Sequence, residues 1–297
     1  MKVRIYIIWF CVLISVTCCH FNTKSGSETG NSGSNFDSAQ LDSLHNMMYL
    51  MLSPNEILGE IFSQKITLNP QLLNPRDNAS KYLDIKHQGL NLGVYIADFA
   101  YLNLCRNKTN ALDYFKIIRN LAQKNNIYGC FNESMFNRIQ NNLANNDSLI
   151  NISQEMYYNM SDILENANRQ NINALISGGA LIEAFYLSVM SIKNDSDHQS
   201  NIQRILEQKQ LFDNFFAFIS LYKKDSDVHY VFSQLKNIKK ILDKLEVKTT
   251  VNKISKEKNN HIEVKGGQDI VVNEAIFNEF KDYIIKVRQD ITGISSK

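Results

Sequence analysis

The sequence predicts an all-α protein, a multi-helix bundle of two similar helical repeats with one small β-hairpin near the C-terminus. Three observations lead there. Only 3 prolines and 12 glycines punctuate 297 residues, whereas an all-β sandwich or barrel needs turn signals roughly every 8–12 residues. Apolar residues recur at three- and four-residue steps through most of the chain, the period of an amphipathic helix. The segments between these runs are short and rich in Asn, Asp and Ser, as antiparallel helices require. With 44% apolar and 21% charged residues, the composition supports a sizeable core. The net charge of +2 supplies no global basic field, so nucleic acid is not an expected partner.

The chain opens on Lys2 and Arg4, followed by an apolar run from Ile5 to Val16. That is signal-peptide length and short for a membrane span. The run ends at Thr17-Cys18-Cys19, which resembles a bacterial lipobox, the site where a Cys is acylated and becomes the new N-terminus. Taking Val16-Thr17-Cys18 as the box puts the lipid on Cys19, and taking Ser15-Val16-Thr17 puts it on Cys18. Residues 1–18 are thus expected to be a lipoprotein signal peptide. Residues 19–45, mostly Ser, Gly, Asn and Thr up to position 40, are expected to be a flexible tether, because such a stretch buries too little apolar surface to order itself. No acidic cluster follows the cysteines, so the expected location is the outer membrane facing the periplasm.

A helical bundle is expected over 46–246. Ser53-Pro54-Asn55-Glu56 ahead of ILGEIF has the capping-box pattern of a helix start. LNPQLLNP at 68–75 interrupts the periodicity with two prolines. From Tyr82 to Leu104 the apolar residues fall at Leu83, Leu90, Val94, Ala97, Tyr101 and Leu104. Further periodic runs occupy 110–125, 132–144, 148–168, 170–192, 199–223 and 227–246. In the remainder, 247–297, alternating residues around Gly266-Gly267 predict the hairpin. Asn273 then caps a terminal helix packed on the bundle.

At an offset of 85 residues, Leu90, Gly93, Asp98, Tyr101 and Leu102 fall opposite Leu175, Gly178, Glu183, Tyr186 and Leu187. Ile117, Arg119, Leu121, Gln123 and Lys124 likewise fall opposite Ile202, Arg204, Leu206, Gln208 and Lys209. Matching Gly, acid and Arg positions are not supplied by amphipathicity alone, so two stacked repeats, about 80–165 and 166–246, are expected. The segments LSPNEILGEIF, GLNLGVYIADFAYLNL, GGALIEAFYLSV and EQKQLF resemble an uncharacterised family of Bacteroidota-type helical lipoproteins, over roughly residues 50–245. The resemblance implies a helical envelope lipoprotein and assigns no reaction.

Asp98 and Glu183 are the candidates for acid/base catalysis or metal ligation, in a hydrolase or metal-dependent enzyme of the periplasm. The structural alternative is a buried polar network of Asp98, Tyr101, Arg119, Glu183, Tyr186 and Arg204, in which each acid takes an Arg. Gly93, Gly178 and Gly179 are expected where helices approach closely, since a mid-helix Gly costs about 1 kcal/mol relative to Ala. Six scattered histidines form no HExxH pair, and neither a G-x-G-x-x-G nor a G-x-S-x-G pattern occurs. No metal and no cofactor are therefore expected. Cys105 and Cys130 should lie at opposite ends of an antiparallel helix pair, about 20 Å apart and unbonded. The expected function is a membrane-anchored binding or scaffolding protein, non-catalytic, with an envelope protein as partner.

Overall fold

The structure, a computed structural model, describes residues 52–62, 66–193, 196–256 and 262–293, with the backbone alone for 249–256 and 262–269. The expected signal peptide, Cys18, Cys19 and the tether lie outside the described residues. What is described is an all-α bundle carrying one hairpin.

Short polar side chains start most of the helices. In α1 (Pro54–Ile61) the Ser53 hydroxyl accepts from Glu56 N–H, and the Glu56 carboxylate accepts from Ser53 N–H at 2.7 Å. Two 3-10 turns follow, Pro70–Leu72 and Arg76–Lys81, in the segment that the prolines interrupt. Asp84 then caps α2 (Ile85–Leu104). That cap puts Leu83 ahead of the helix, so this residue of the expected apolar stripe is 81% exposed. Asn107, Asn132 and Asn145 cap α3 (Lys108–Lys124), α4 (Glu133–Asn141) and α5 (Asn146–Asn166). Each such cap satisfies an orphan N–H and stabilises by about 1 kcal/mol. Asn126 and Asn168 adopt left-handed backbone just past α3 and α5, a conformation Asn tolerates. Part of the abundance of asparagine is thus punctuation.

α6 (Gln170–Ser191) is followed by α7 (His198–Glu207) and α8 (Lys209–Ser220), where one helix was expected over 199–223. The core residues explain the break. Ile202, Ile205 and Leu206 face inward from α7, and a continuous helix would next turn Lys209, Gln210 and Asp213 toward the core. A break at Gln208 resets the phase so that Phe215 and Phe218 join Phe212 in pointing inward. α9 (Ser226–Leu242) leads into β1 (Val247–Lys256) and β2 (Ile262–Ile270), paired antiparallel from Val247↔Ile270 to Lys256↔Ile262. α10 (Glu274–Thr292), capped by Asn273, ends on Gly293 at φ 68°.

The core is organised by α2 and α6. Every residue from Gly89 to Asn103 and from Ile172 to Val189 is buried, so both helices are enclosed on all sides. Among the described residues α6 alone is long and apolar enough to cross a membrane, and here it is an inner helix of the bundle. The pair runs parallel and nearly touches backbone to backbone. A Cβ on Gly93 would lie 1.9 Å from Ile176 O and 2.6 Å from Ala180 N. One on Gly179 would lie 1.9 Å from Leu90 O. The close approach is therefore reciprocal between Gly93 and Gly179. Gly178 instead faces side chains, with Val231 Cγ2 at 3.2 Å from its would-be Cβ. α3 and α5 flank α2, and α10 packs against α6 and α9.

Candidate functional site

About one turn beyond the glycine crossing, five residues after Gly93 and four after Gly179, the two parallel helices bring Asp98 and Glu183 together. Both are fully buried. The guanidinium of Arg288, on α10 and 3% exposed, holds Glu183 in a fork: Nε to Oε2 at 3.0 Å and Nη2 to Oε1 at 3.2 Å. Nη2 also donates to Leu72 O at 3.0 Å, and the group lies 4.4 Å from the centre of the Tyr186 ring. Asp98 Oδ2 accepts from Asn74 N–H at 3.0 Å.

The segment between the two 3-10 turns threads through this centre. Asn74 Nδ2 donates to Tyr82 OH and to Asn91 Oδ1, and Tyr114 OH donates to Asn74 O at 2.9 Å. Tyr95 OH donates to Pro75 O at 2.8 Å. Tyr82 OH and Asn91 Nδ2 reach on to Thr292 O and Ile291 O at the end of α10. Two inner helices, one loop and the last helix are thus tied at a single polar centre.

The charges at this centre do not balance if both acids ionise. Two carboxylates against one guanidinium would bury net negative charge, which a low-dielectric core resists. Burial, and then the charge of Glu183, push Asp98 well above the usual carboxylate range. Burial raises Glu183 as well, opposed by the Arg288 guanidinium and its hydrogen bonds. Asp98 Oδ1 meets no donor, and the Asp98 and Glu183 carboxyls lie within hydrogen-bonding reach of one another. A proton on Asp98 resolves the excess charge: neutral Asp98 donates to Glu183, and ionised Glu183 pairs with Arg288. Burial also pushes the Tyr82 hydroxyl up to about 12, so it stays neutral.

The carboxylates are therefore convergent but sealed. Neither cavity described below is lined by Asp98 or Glu183. No group of three His, Cys, Asp or Glu able to hold a metal occurs among the described residues. Cys105 and Cys130 are unbonded, and burial pushes their thiols up to about 11 and about 12, away from nucleophilic reactivity. Comparison with protein-family models, curated proteins and solved structures finds no match.

Of the six residues in the expected network, Asp98, Glu183 and Tyr186 meet at the centre. The other three do not. Arg119 pairs with Glu133 at 2.7 Å on the surface. Tyr101 points the other way, accepting from Asn69 N–H at 3.3 Å. Arg204 lies on α7 and lines the open cleft described below. Arg288 takes the role assigned to an arginine at Glu183, and Asp98 holds no arginine of its own. Its position four residues after Ile284, in register with Phe277, Phe280 and Ile291, already placed it on the apolar face of its helix.

A second concavity is open to solvent. It lies at the C-terminal ends of α2 and α6, against the first two turns of α7, and holds about 370 Å³. Its polar wall includes Tyr101, Ser191, Lys193, Asp197, Ser200 and Arg204. A smaller gap of about 10 Å³, between Pro54, Tyr157, Ser177 and Phe215, holds no more than one water.

Proposed function

We propose that this chain is a lipid-anchored envelope protein, facing the periplasm, that binds or scaffolds rather than catalyses. The observation that carries the non-catalytic part is the sealing of Asp98 and Glu183. Catalytic carboxylates must reach a substrate, whereas these two are fully buried and committed to Arg288 and Asn74. The open cleft beside Tyr101 and Arg204 gives a binding protein a place to bind. The anchor rests on the lipobox-like Thr17-Cys18-Cys19, the polar tether after it and the resemblance to helical lipoproteins. Several acyl chains on one Cys would hold such a domain stably at a bilayer.

Membrane fractionation of cells expressing the full chain tests the anchor. The parent should sediment with membranes, and the Cys18→Ala/Cys19→Ala double variant should appear in the soluble fraction. A double variant that still sediments with membranes overturns the lipid anchor.

A further inference from the structure

We propose that the cleft at the ends of α2 and α6 binds a short peptide of about three residues by its free ends, which rests on the binding reading above and names the ligand class. The cleft combines three kinds of surface. Phe62, Ile66, Leu72, Met190 and Ile192 form an apolar wall. Ser200 supplies a hydroxyl, while those of Tyr101 and Ser191 are buried in the wall, Tyr101 OH already accepting from Asn69 N–H. Charges of both signs complete it: Asp197, Arg204 and Lys193. A sugar would leave the apolar wall unused, and a fatty acid would leave Asp197 unanswered. A peptide with an ammonium, a carboxylate and apolar side chains answers all three.

Spacing sets the length. Asp197 and Arg204 are seven residues apart, two turns along one face of α7, so about 10 Å separates them along the axis. An extended chain advances about 3.3–3.6 Å per residue, so roughly three residues span that distance and a single amino acid does not. The N-terminal end of α7 and the C-terminal end of α6, where carbonyls point outward, both border the cleft. The α6 carbonyls and Asp197 suit an ammonium, and Arg204 suits a carboxylate. Asp197 and Arg204 each already hold a partner within the protein. A guanidinium has five donors and a carboxylate about four acceptor sites, so each keeps capacity for a ligand. Among the described residues Lys193 is in no ion pair.

Titration calorimetry on the full chain tests this with leucyl-glycyl-leucine, its N-acetylated form, its C-amidated form, the doubly blocked form and free leucine. The free tripeptide should bind, each singly blocked form about tenfold more weakly, and the doubly blocked form and leucine more weakly still. Arg204→Gln should bring the free and amidated peptides to equal affinity. Asp197→Asn should do the same for the free and acetylated peptides, and Asp197 makes no side-chain cap bond that its loss would disturb. The proposal is overturned if the doubly blocked peptide binds as tightly as the free one, if leucine matches the tripeptide, or if none binds at millimolar concentration. The ligand series needs only the parent protein, and its failure would leave the membrane-release result untouched.

Discussion

Gly93→Ala adds one methyl group at the tightest point of the fold. In an ordinary helix the change would stabilise by roughly 0.5–1 kcal/mol, because Gly carries the larger backbone entropy. Here the new Cβ would sit 1.9 Å from Ile176 O and 2.6 Å from Ala180 N. Both obstacles are backbone of a helix buried on all sides, so no side chain can step away. Restoring van der Waals separation requires α2 and α6 to move apart by more than an ångström, which opens gaps along their whole contact. Overpacking of this kind costs about 1–3 kcal/mol, and backbone obstacles place it at the upper end, net of propensity about 2 kcal/mol. For a domain of this size that lowers the melting temperature by about 4–8 °C. Two internal controls sharpen the comparison. Gly59 has nothing within 4 Å of its would-be Cβ, so Gly59→Ala should be neutral or slightly stabilising. Gly178→Ala meets a Val231 methyl at 3.2 Å, which can yield, so it should fall between the two. Urea unfolding of the three variants decides the matter. A Gly93→Ala protein as stable as Gly59→Ala would refute the backbone crossing.

Two further outcomes follow from the buried centre and the buried thiols. Arg288→Met removes the one cation facing Glu183 and should cost about 3–5 kcal/mol near neutral pH, with a smaller loss in acid, where Glu183 takes up a proton; a melting temperature equal to the parent's would contradict the ion pair. Cys105 and Cys130 should resist alkylation by iodoacetamide at pH 8 in the folded protein and react fully in urea, and fast labelling of both in the folded state would contradict their burial.

The helices were legible in the sequence because their caps and apolar periods are local properties. Ser53 and Asn273 mark starts that any short window contains. The convergence of Asp98 and Glu183 was legible for a different reason: matched Gly and acid positions at nearly one spacing in two apolar helices imply matched packing. What was missed is long-range. Arg288 lies 105 residues from Glu183 in sequence, and no local pattern says which apolar face receives an inward Arg. The internal likeness itself misdirected the pairing, because Arg119 and Arg204 are matched in sequence yet sit on outer helices. Gly178 and Gly179 were both expected at close approaches, and the turn of about 100° between them gives Gly179 a backbone neighbour and Gly178 a side-chain one. The break at Gln208 was not legible, because Ile205 and Phe212 lie seven residues apart, the spacing of a continuous helical stripe.

The central claim is that Asp98 is a neutral acid sealed in the core, and the pH dependence of Asp98→Asn stability tests it most directly. Asparagine reproduces the neutral acid, with its carbonyl accepting from Asn74 N–H and its amide donating to Glu183. An acid whose folded value lies above its ordinary 3.8 binds more protons when folded. Its contribution is therefore fully present below that value and is lost as pH rises toward the folded one. Groups common to both proteins largely cancel in the difference. Urea unfolding of parent and variant, stepped from about pH 4 to pH 8, should show near-equal stability in acid. The variant should then gain on the parent by about 1.4 kcal/mol per pH unit until the folded acid ionises. A difference that stays flat, or a parent that gains on the variant as pH rises, would show Asp98 ionised in the folded protein and would contradict the account.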